Sequence, residues 1–402
     1  MEERAISFLG LLLMVFLAWM LSDGRRKVNW RIVFWGIGFQ FILAVGILKT
    51  PLGLFLFDLA QSAAETVMSF SDSGAKFLFG ESFYDHFFAF KVLPSLIFFS
   101  SLSYILFYFG ILQKIVEGLA KLLSKILRIS GPEALVTTAN IFVGQTEAPL
   151  FVKPYLKSMS HSEIMVMMTG GMATVAGGVL AAYVGLGISA GHLIAASLMS
   201  APAAIVIAKI MVPEVETAST DDSIVSQLDT NFINFFDAAC HGAMVGLKLA
   251  MNVGAMLIAF IAIIAFMDYC IVSVGQLIGI DVSFEGLLGY IFRPLAWCMG
   301  INWHDSFSVG QILGTKIVFN EFIAYSKLQE LMDPGNLNQR STVICTYALC
   351  GFANFGSIAV QIGGIGNLES SQKPVFARLG LKAMIGGNLA AFMTACIAGI
   401  LV

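Results

Sequence analysis

The sequence has little charge and lacks the motifs of the common enzyme classes. Charged residues make up 12% of its 402 positions, whereas a soluble domain carries about 25% to cover its surface. The net charge of −3 provides no basic face, so we expect no nucleic-acid partner. The chain contains no HExxH, P-loop or GxGxxG pattern, so these motifs indicate no metalloprotease or nucleotide site. These absences argue against an enzyme.

Cysteine and histidine are present but scattered. The six cysteines lie mostly in apolar runs without CxxC spacing, and the five histidines form no ligand cluster. We interpret the cysteines as small buried hydrophobic residues and not as metal ligands or disulfide partners.

Apolar residues dominate the chain. Hydrophobic residues account for 57% of it, and the mean hydropathy is +0.83. A helix needs about 20 apolar residues to cross a membrane, so the chain has room for several spans. We predict an all-α polytopic membrane protein with about eight transmembrane helices, two re-entrant hairpins in inverted repeats, and interfacial helices.

The positions of basic residues predict the orientation of the chain in the membrane. The first apolar run, residues 6–21, is followed by Arg25, Arg26 and Lys27. A cleaved signal peptide carries its positive charge before the apolar region, so we interpret this run as a first span. Basic residues mark the cytoplasmic side, which places the N-terminus outside. The last span, 383–402, also follows basic residues and places the C-terminus outside.

Other segments predict structures that do not cross the membrane as simple spans. Residues 51–71 and 115–126 are amphipathic, which favours helices lying at the membrane interface. Residues 164–186 are apolar, but we expect the glycine pairs at 170–171 and 177–178 to break the helix.

A polar stretch in apolar surroundings predicts the first re-entrant hairpin. Residues 144–150 read Gly-Gln-Thr-Glu-Ala-Pro-Leu. A charged group such as Glu147 costs roughly 2.5–3.5 kcal/mol at membrane depth, which makes a functional role the default hypothesis. Gly144 and Pro149 should interrupt the helix and leave arms of roughly 15–18 Å, about half the hydrocarbon core. We therefore predict a hairpin over residues 131–160.

An internal pattern predicts a second copy of this arrangement. Residues 171–177 match residues 351–357 as Gly-x-Ala-polar-x-x-small, and each copy follows a hairpin candidate with one acidic residue at its tip, Glu147 or Glu321. In our topology the two copies run in opposite directions, as in the inverted repeats of secondary transporters. Ordinary glycine-rich helix packing is the alternative reading of the pattern. Neither glutamate has a basic partner in its own hairpin at the same depth in this reading.

Five stretches resemble the signature motifs of the concentrative nucleoside transporters. They occur in order along nearly the whole chain, at residues 88–94, 144–150, 252–260, 320–325 and 350–358. One departure from the bacterial members is Gly356, where a serine is common, and Ser357 beside it is retained.

The resemblance implies a homotrimer in the plasma membrane, the inner membrane of a bacterium, that imports nucleosides such as uridine, cytidine or adenosine. Each protomer would consist of a scaffold and a transport domain. The implied division is scaffold spans with an interfacial helix (1–112), the first transport repeat (113–212, hairpin 131–160), a cytoplasmic loop (213–246), a long scaffold span (247–274) and the second transport repeat (275–402, hairpin 307–328).

The resemblance also assigns the substrate site. The implied substrate-binding residues are Gln145, Thr146, Glu147, Val179, Glu321, Phe352, Asn354 and Ser357. The residues of 145–147 would face the base, and Glu321 would accept hydrogen bonds from the ribose hydroxyls, a combination of donors and acceptors that suits a nucleoside. Ser357 could instead bond only to helix carbonyls.

The resemblance also implies a coupling cation. By resemblance, a sodium ion would bind the side chains of Asn140 and Thr174 and the carbonyls of Val143 and Val175. Thr174, like Ser357, could instead bond to a helix carbonyl. A proton-coupled nucleoside symporter and a passive facilitator or channel remain alternatives, and the sequence does not settle the preference among nucleosides.

Overall fold

The chain folds almost entirely into α-helices. The computed structural model describes residues 2–81, 88–215, 232–278, 283–332 and 336–402, and these ranges contain helices and no strand. The α-helices are α1 (Glu2–Met20), α2 (Trp30–Lys49), α3 (Pro51–Phe79), α4 (Leu93–Tyr108), α5 (Ile111–Leu127), α6 (Gly131–Ala139), α7 (His161–Ala173), α8 (Gly177–Gly185), α9 (Ala190–Met211), α10 (Phe235–Ile278), α11 (Phe284–Cys298), α12 (Ser306–Val318), α13 (Glu321–Leu331), α14 (Gln339–Leu349), α15 (Phe355–Gly366) and α16 (Lys373–Leu401).

Seven helical segments in the described ranges are long and apolar enough to cross a membrane. They differ sharply in burial: 89% of the apolar window is buried in α9 and 83% in the segment that ends with α16, but only 11% in α10. The protein core therefore lies around α7, α9 and α16. The apolar side chains that cover α10 face outward, as expected for a helix in contact with lipid.

Helix α10 is longer than the sequence predicts. It contains 44 residues, or about 66 Å at 1.5 Å per residue, and it begins at Phe235. The predicted loop 213–246 therefore ends too late, because its last twelve residues are helical; most of the remainder lies outside the described residues. The division into scaffold and transport domains stays a prediction.

Two glycines fix α10 against α4. A Cβ atom placed on Gly242 or Gly246 would lie 2.7 Å from the Cα atom of Ser101 or Ile97, respectively. The spacing of four puts both glycines on one helix face, and small residues there let two membrane helices approach backbone to backbone. We conclude that α4 and α10 form one close-packed pair.

Both predicted interfacial segments are helical. Helix α3 extends the predicted segment 51–71 to Phe79. Helix α5 covers the predicted segment 115–126, and Val116, Ala120 and Leu123 form part of its buried stripe. Their position at a membrane interface stays a prediction.

The chain ends meet at one end of the helix bundle. The Arg4 guanidinium donates to the Val402 carbonyl at 3.0 Å, and Lys382 of α16 forms an ion pair with Asp23. The two contacts are separated by 20 residues of α16, or about 30 Å, which is the thickness of a hydrocarbon core. Helices α1 and α16 are therefore antiparallel, and the two termini lie on the same side.

Four interruptions divide helices in the part that contains the predicted site. The chain leaves α6 at Asn140 and continues, after the turn, as a 3₁₀ helix over Ala148–Tyr155. The other breaks lie at 174–176 between α7 and α8, at 319–320 between α12 and α13, and at 350–354 between α14 and α15.

Three details of the predicted breaks were wrong. The pair at 170–171 lies inside α7, because the helix ends only where Thr174 adopts an extended conformation. Gly177 and Gly178 form the first turn of α8 and do not break it. The first arm of the hairpin ends at Ala139 and is shorter than predicted, and Gly144 lies within the turn that follows it.

Candidate functional site

The two copies of the glycine pattern meet at the centre of the bundle. Gly351 has a φ of +136°, and a Cβ atom there would lie 2.7 Å from the carbonyl oxygen of Met172 and 2.9 Å from the carbonyl carbon of Ala173. Asn388 of α16 donates to the Ala353 carbonyl at 2.9 Å. The positive φ and the close approach both require glycine at position 351. The break between α7 and α8 therefore packs directly against the break between α14 and α15.

Glu321 lies in this centre and has a partner for each carboxylate oxygen. It is 6% exposed. Its Oε1 accepts a hydrogen bond from the Tyr183 hydroxyl at 3.1 Å, and its Oε2 accepts one from Asn354 Nδ2 at 2.9 Å. Asn354 also caps α15, because its Oδ1 accepts from the Ser357 backbone amide at 2.9 Å. A buried carboxylate is thus held by groups from α8 and from the end of a broken helix.

Gln145 joins the first hairpin to α15. Its Nε2 donates to Ser357 Oγ at 3.2 Å, and its Oε1 accepts from Gln361 Nε2 at 3.0 Å. The same Gln361 nitrogen donates to the Met168 carbonyl of α7 at 3.0 Å. Four of the eight predicted substrate-binding residues, Gln145, Ser357, Asn354 and Glu321, therefore belong to one continuous chain of hydrogen bonds. The Ser357 hydroxyl therefore accepts a hydrogen bond from Gln145 of the first repeat, whereas the alternative expected bonds to helix carbonyls only.

The other predicted residues surround this chain. Thr146 packs on α15, where a Cβ atom added to Gly364 would lie 2.7 Å from Thr146 Cγ2. Val179 is buried on α8, and Phe352 is partly buried directly after Gly351.

Glu147 faces a separate cavity of about 270 Å³. The cavity lies between the hairpin turn, the start of α8, and the close-packed pair of α4 and α10. Its lining includes Phe142 and Gly177 on one side and Tyr104 and His241 on the other, with the Tyr104 and His241 ring centroids 5.0 Å apart. The structure therefore does not bring Glu147 into the hydrogen-bonded chain that contains Glu321.

The predicted sodium ligands lie where buried polar atoms lack partners. Asn140 is 1% exposed, and within the described part of the chain neither its Oδ1 nor its Nδ2 has a hydrogen-bond partner. The hydroxyls of Thr137 and Thr169 are buried without a partner in the same ranges. Asn140 Nδ2 and Thr137 Oγ1 lie 3.5 and 3.6 Å from a Cβ position on Gly170. An unsatisfied buried polar group costs about 1–3 kcal/mol, so this cluster favours a ligand.

The remaining predicted sodium ligands, Thr174, Val143 and Val175, lie at the break after α7 and in the hairpin turn. The Thr174 hydroxyl donates to the Gly170 carbonyl at 2.9 Å, which is the helix-carbonyl bond given above as the alternative to ion binding. Its oxygen still has lone pairs that can bind a cation. Val143 and Val175 are buried, and Gly177 donates to the Phe142 carbonyl at 3.1 Å, which joins the hairpin turn to the break after α7. Amide, hydroxyl and carbonyl oxygens at broken helices suit a sodium ion.

Sequence reasoning missed Lys316. Lys316 lies in the same predicted hairpin as Glu321 and is fully buried on α12, where its Nζ donates to the Ala348 carbonyl at 2.9 Å. A lysine five residues before the glutamate in an apolar run was the signal. Tyr183 and Gln361 were also missed, and neither stood out in the apolar sequence of α8 and α15.

Broken helices that meet at the centre of a helical bundle are typical of secondary membrane transporters. Comparison with known families agrees. Three family models cover most of the chain: the Na⁺-dependent nucleoside transporter N-terminus matches residues 9–82, the nucleoside recognition gate matches 89–190, and the Na⁺-dependent nucleoside transporter C-terminus matches 192–399. The chain belongs to the Na⁺-dependent nucleoside transporter family of multi-pass membrane proteins.

Individual relatives cover the chain from end to end. Solute carrier family 28 member 3 of Mus musculus is 42% identical over 100% of this chain and 59% of its own length. Sodium/nucleoside cotransporter 1 of Rattus norvegicus is 38% identical over 99% of this chain and 64% of its own length. The chain thus spans about three fifths of these animal proteins. An uncharacterized transporter of Haemophilus influenzae is 40% identical over 98% of this chain and 97% of its own length.

Solved structures have the same fold. CNTnw in an inward-facing substrate-bound state is 39% identical, with a TM-score of 0.93 over 99% of this chain and 97% of that chain. A doubly substituted CNTnw in an outward-facing state is 38% identical, with a TM-score of 0.95 over 99% of this chain and 98% of that chain.

Proposed function

We propose that this protein imports nucleosides by symport with sodium, through an alternating-access movement of its transport domain. The observation that carries this proposal is the pairing of two unlike sites at the crossed helix breaks. One holds Glu321 between Tyr183 and Asn354. The other leaves the Asn140 side chain buried without a partner in the described ranges. The first suits a polar substrate and the second suits a small cation.

The chemistry of the first site fits the sugar of a nucleoside. Vicinal ribose hydroxyls are donors, and the Glu321 carboxylate is an acceptor with more than one lone pair on each oxygen. A site that hydrogen-bonds hydroxyls rejects analogues that lack them, because its own buried groups are then left unpaired. Uridine, cytidine and adenosine share this ribose, and we assign it to Glu321 with Asn354 and Ser357 in support.

We assign the nucleobase to the part of the site formed by the first hairpin. The Gln145 side chain has both a donor and an acceptor. In this structure it donates to Ser357 and accepts from Gln361. A base edge also offers donors and acceptors, so it could take the places of these two partners on Gln145. We assign Thr146, Glu147, Val179 and Phe352 as further contacts of the base, with Glu147 also bordering the 270 Å³ cavity.

The sodium ion is the coupling substrate of the second site. We assign Asn140 and Thr174 side chains and the Val143 and Val175 carbonyls as its ligands. One charge that crosses 100 mV releases about 2.3 kcal/mol. This corresponds to roughly fiftyfold accumulation of the nucleoside, since about 1.4 kcal/mol is a factor of ten.

We also propose that the protein acts as a homotrimer in the plasma membrane, the inner membrane of a bacterium, with both termini outside. Two observations support these assignments. Arg25, Arg26 and Lys27 follow α1, and basic residues favour the cytoplasmic side. The outer faces of α3 and α10 carry many exposed apolar side chains, which suit lipid or a neighbouring protomer.

Uptake of labelled uridine into proteoliposomes tests the proposal. We expect accumulation above the outside concentration only with an inward sodium gradient, and a further increase with an inside-negative potential. Equal uptake with and without sodium while a proton gradient persists would instead identify a proton-coupled symporter. Equilibration without accumulation under every gradient would identify a facilitator.

A further inference from the structure

Gln361 has a fixed orientation on α15. It is fully buried, and its Nε2 donates to two acceptors, the Met168 carbonyl and Gln145 Oε1, each at 3.0 Å. A carbonyl only accepts, so the nitrogen of the Gln361 amide has to face Met168. Gln361 Oε1 has no partner in the described ranges, and turning the amide over would place this oxygen against the Met168 carbonyl. One main-chain carbonyl therefore determines which way the Gln361 amide points.

The same carbonyl determines the orientation of Gln145, through Gln361. Both hydrogens of Gln361 Nε2 are in use, one for each acceptor. Toward Gln145, Gln361 can therefore only donate, and Gln145 has to turn its oxygen to it. The nitrogen of the Gln145 amide then faces Ser357 Oγ, at 3.2 Å. The hydrogen bonds thus run in one direction, from Gln361 through Gln145 to Ser357.

A glycine makes room for the two glutamine side chains. A Cβ atom on Gly171 of α7 would lie 2.9 Å from both Gln145 Cβ and Gln361 Nε2. Any side chain at this position would therefore press on both partners of the bond. The first glycine of the repeated pattern thus lets the first hairpin and α15 meet on the surface of α7.

The two partners of Gln145 differ in how firmly they are bound. Gln361 has its second bond to the main chain of α7. The Ser357 hydroxyl makes no other hydrogen bond among the residues that the structure describes. A ligand that competes for Gln145 therefore displaces Ser357 more easily than Gln361, because fewer bonds have to be broken.

We propose that Gln361 is a positioning residue that determines which base edge the transporter prefers. Because it keeps the Gln145 oxygen turned toward α15, Gln145 offers its N–H group to the base, which takes the place of Ser357. The base must then supply an acceptor. Uracil has a carbonyl oxygen where cytosine has an amino group, which donates. The preferred pyrimidine ligand is therefore uridine. This proposal rests on the proposed function for its ligand, the nucleoside.

The ratio of uridine affinity to cytidine affinity tests this role. In the wild type we expect uridine to bind about tenfold more tightly than cytidine, which is roughly the free energy of one hydrogen bond. In Gln361→Met the Gln145 amide is free to turn over and can match either base, so the two affinities should become about equal. Isothermal titration calorimetry on the purified protein at saturating sodium measures both.

Gln40→Met is the matched control. Gln40 is also fully buried, its Oε1 also lacks a partner in the described ranges, and its Nε2 donates to Thr394 on α16. We expect this variant to keep the wild-type affinity ratio. If Gln361 only joined α15 to α7, its loss would weaken both nucleosides by the same factor. An unchanged ratio in Gln361→Met, or a wild type that does not prefer uridine, would overturn the proposal.

Thermal stability tests the bond between the two glutamines without a nucleoside. Gln361→Met and Gln145→Met should each lower the unfolding midpoint, and the double variant should lose less than the sum, because both changes remove the same hydrogen bond. Strictly additive losses would also overturn the proposal. If the wild type binds no nucleoside, the proposed function fails and the base preference fails with it. The stability cycle then still decides whether Gln361 positions Gln145.

Discussion

The two repeats stabilise their helix breaks in different ways. In the second repeat, Glu321 has a partner for each carboxylate oxygen and Lys316 donates to a free carbonyl at the end of α14. In the first repeat, Asn140 and Thr137 contain buried polar atoms that lack partners within the described ranges. A site that is already satisfied is preorganised for one shape of ligand, whereas unsatisfied groups gain free energy when an ion arrives. This difference fits the proposed division, with substrate recognition at the break of the second repeat and ion coupling at the break of the first.

The largest effect should follow from changing the second repeat at Glu321. Glu321→Gln replaces a charged acceptor by a neutral amide that also donates, so ribose hydroxyls lose a strong partner. We expect uridine affinity to fall by about 100-fold or more, while affinity for 2′,3′-dideoxyuridine, already weak, changes little. Equilibrium binding at saturating sodium measures both. Glu330→Gln, on the exposed part of the same helix, is the matched control, and an unchanged uridine affinity in Glu321→Gln would remove the ribose role.

The next effect should follow from changing the first repeat at Asn140. Asn140→Leu removes the amide oxygen proposed to bind sodium and also removes the unsatisfied buried groups. We expect sodium to stabilise the wild type by about 2.7 kcal/mol at a concentration 100 times its Kd, and to lose this effect in the variant. Thermal unfolding with and without sodium is the measurement.

A second buried asparagine provides the control for Asn140. Asn388 donates to the carbonyls of Ala353 and Met384. Asn388→Leu should therefore destabilise the protein and keep the response to sodium, whereas Asn140→Leu should lose the response with little destabilisation in sodium-free buffer. Retained stabilisation of Asn140→Leu by sodium would place the ion elsewhere.

The smallest effect compares one hydroxyl from each repeat. Tyr325 donates to the Thr346 carbonyl at 2.9 Å, so Tyr325→Phe should cost about 1–3 kcal/mol because the carbonyl is left unsatisfied. Thr137→Val removes a hydroxyl without a partner in the described ranges and should be neutral or slightly stabilising. Unfolding midpoints in sodium-free buffer measure both variants, and equal losses would contradict the difference between the repeats.

Much of this arrangement could be predicted from the sequence. Composition predicted helices in a membrane, and the glycine pattern predicted two related breaks, which the structure places against each other through Gly351. The chain of hydrogen bonds contains Gln145, Ser357 and Glu321, all of which were assigned through family resemblance. Local patterns succeed here because polar residues in an apolar run have few structural explanations.

Other features depend on distant contacts that a local pattern does not contain. Lys316 reaches a carbonyl 32 residues away, and Gln361 bonds to the main chain of α7, 193 residues away. The start of α10 at Phe235 was missed because its first turns are less apolar than the span that follows. The break after α7 lies at Thr174, beyond the glycine pair at 170–171, because glycine is tolerated inside a helix that is packed on all sides.

The contact between Arg4 and Val402 has a practical consequence for engineering. Because the two ends of the chain lie side by side, a short flexible linker could join them, and the chain could be opened instead in an exposed connection such as the one between α15 and α16. Circular permutation of this kind is tolerated when the original ends are close. A permuted protein would carry its new ends at a different connection, where a fluorescent reporter could follow the movement of the helices that flank it.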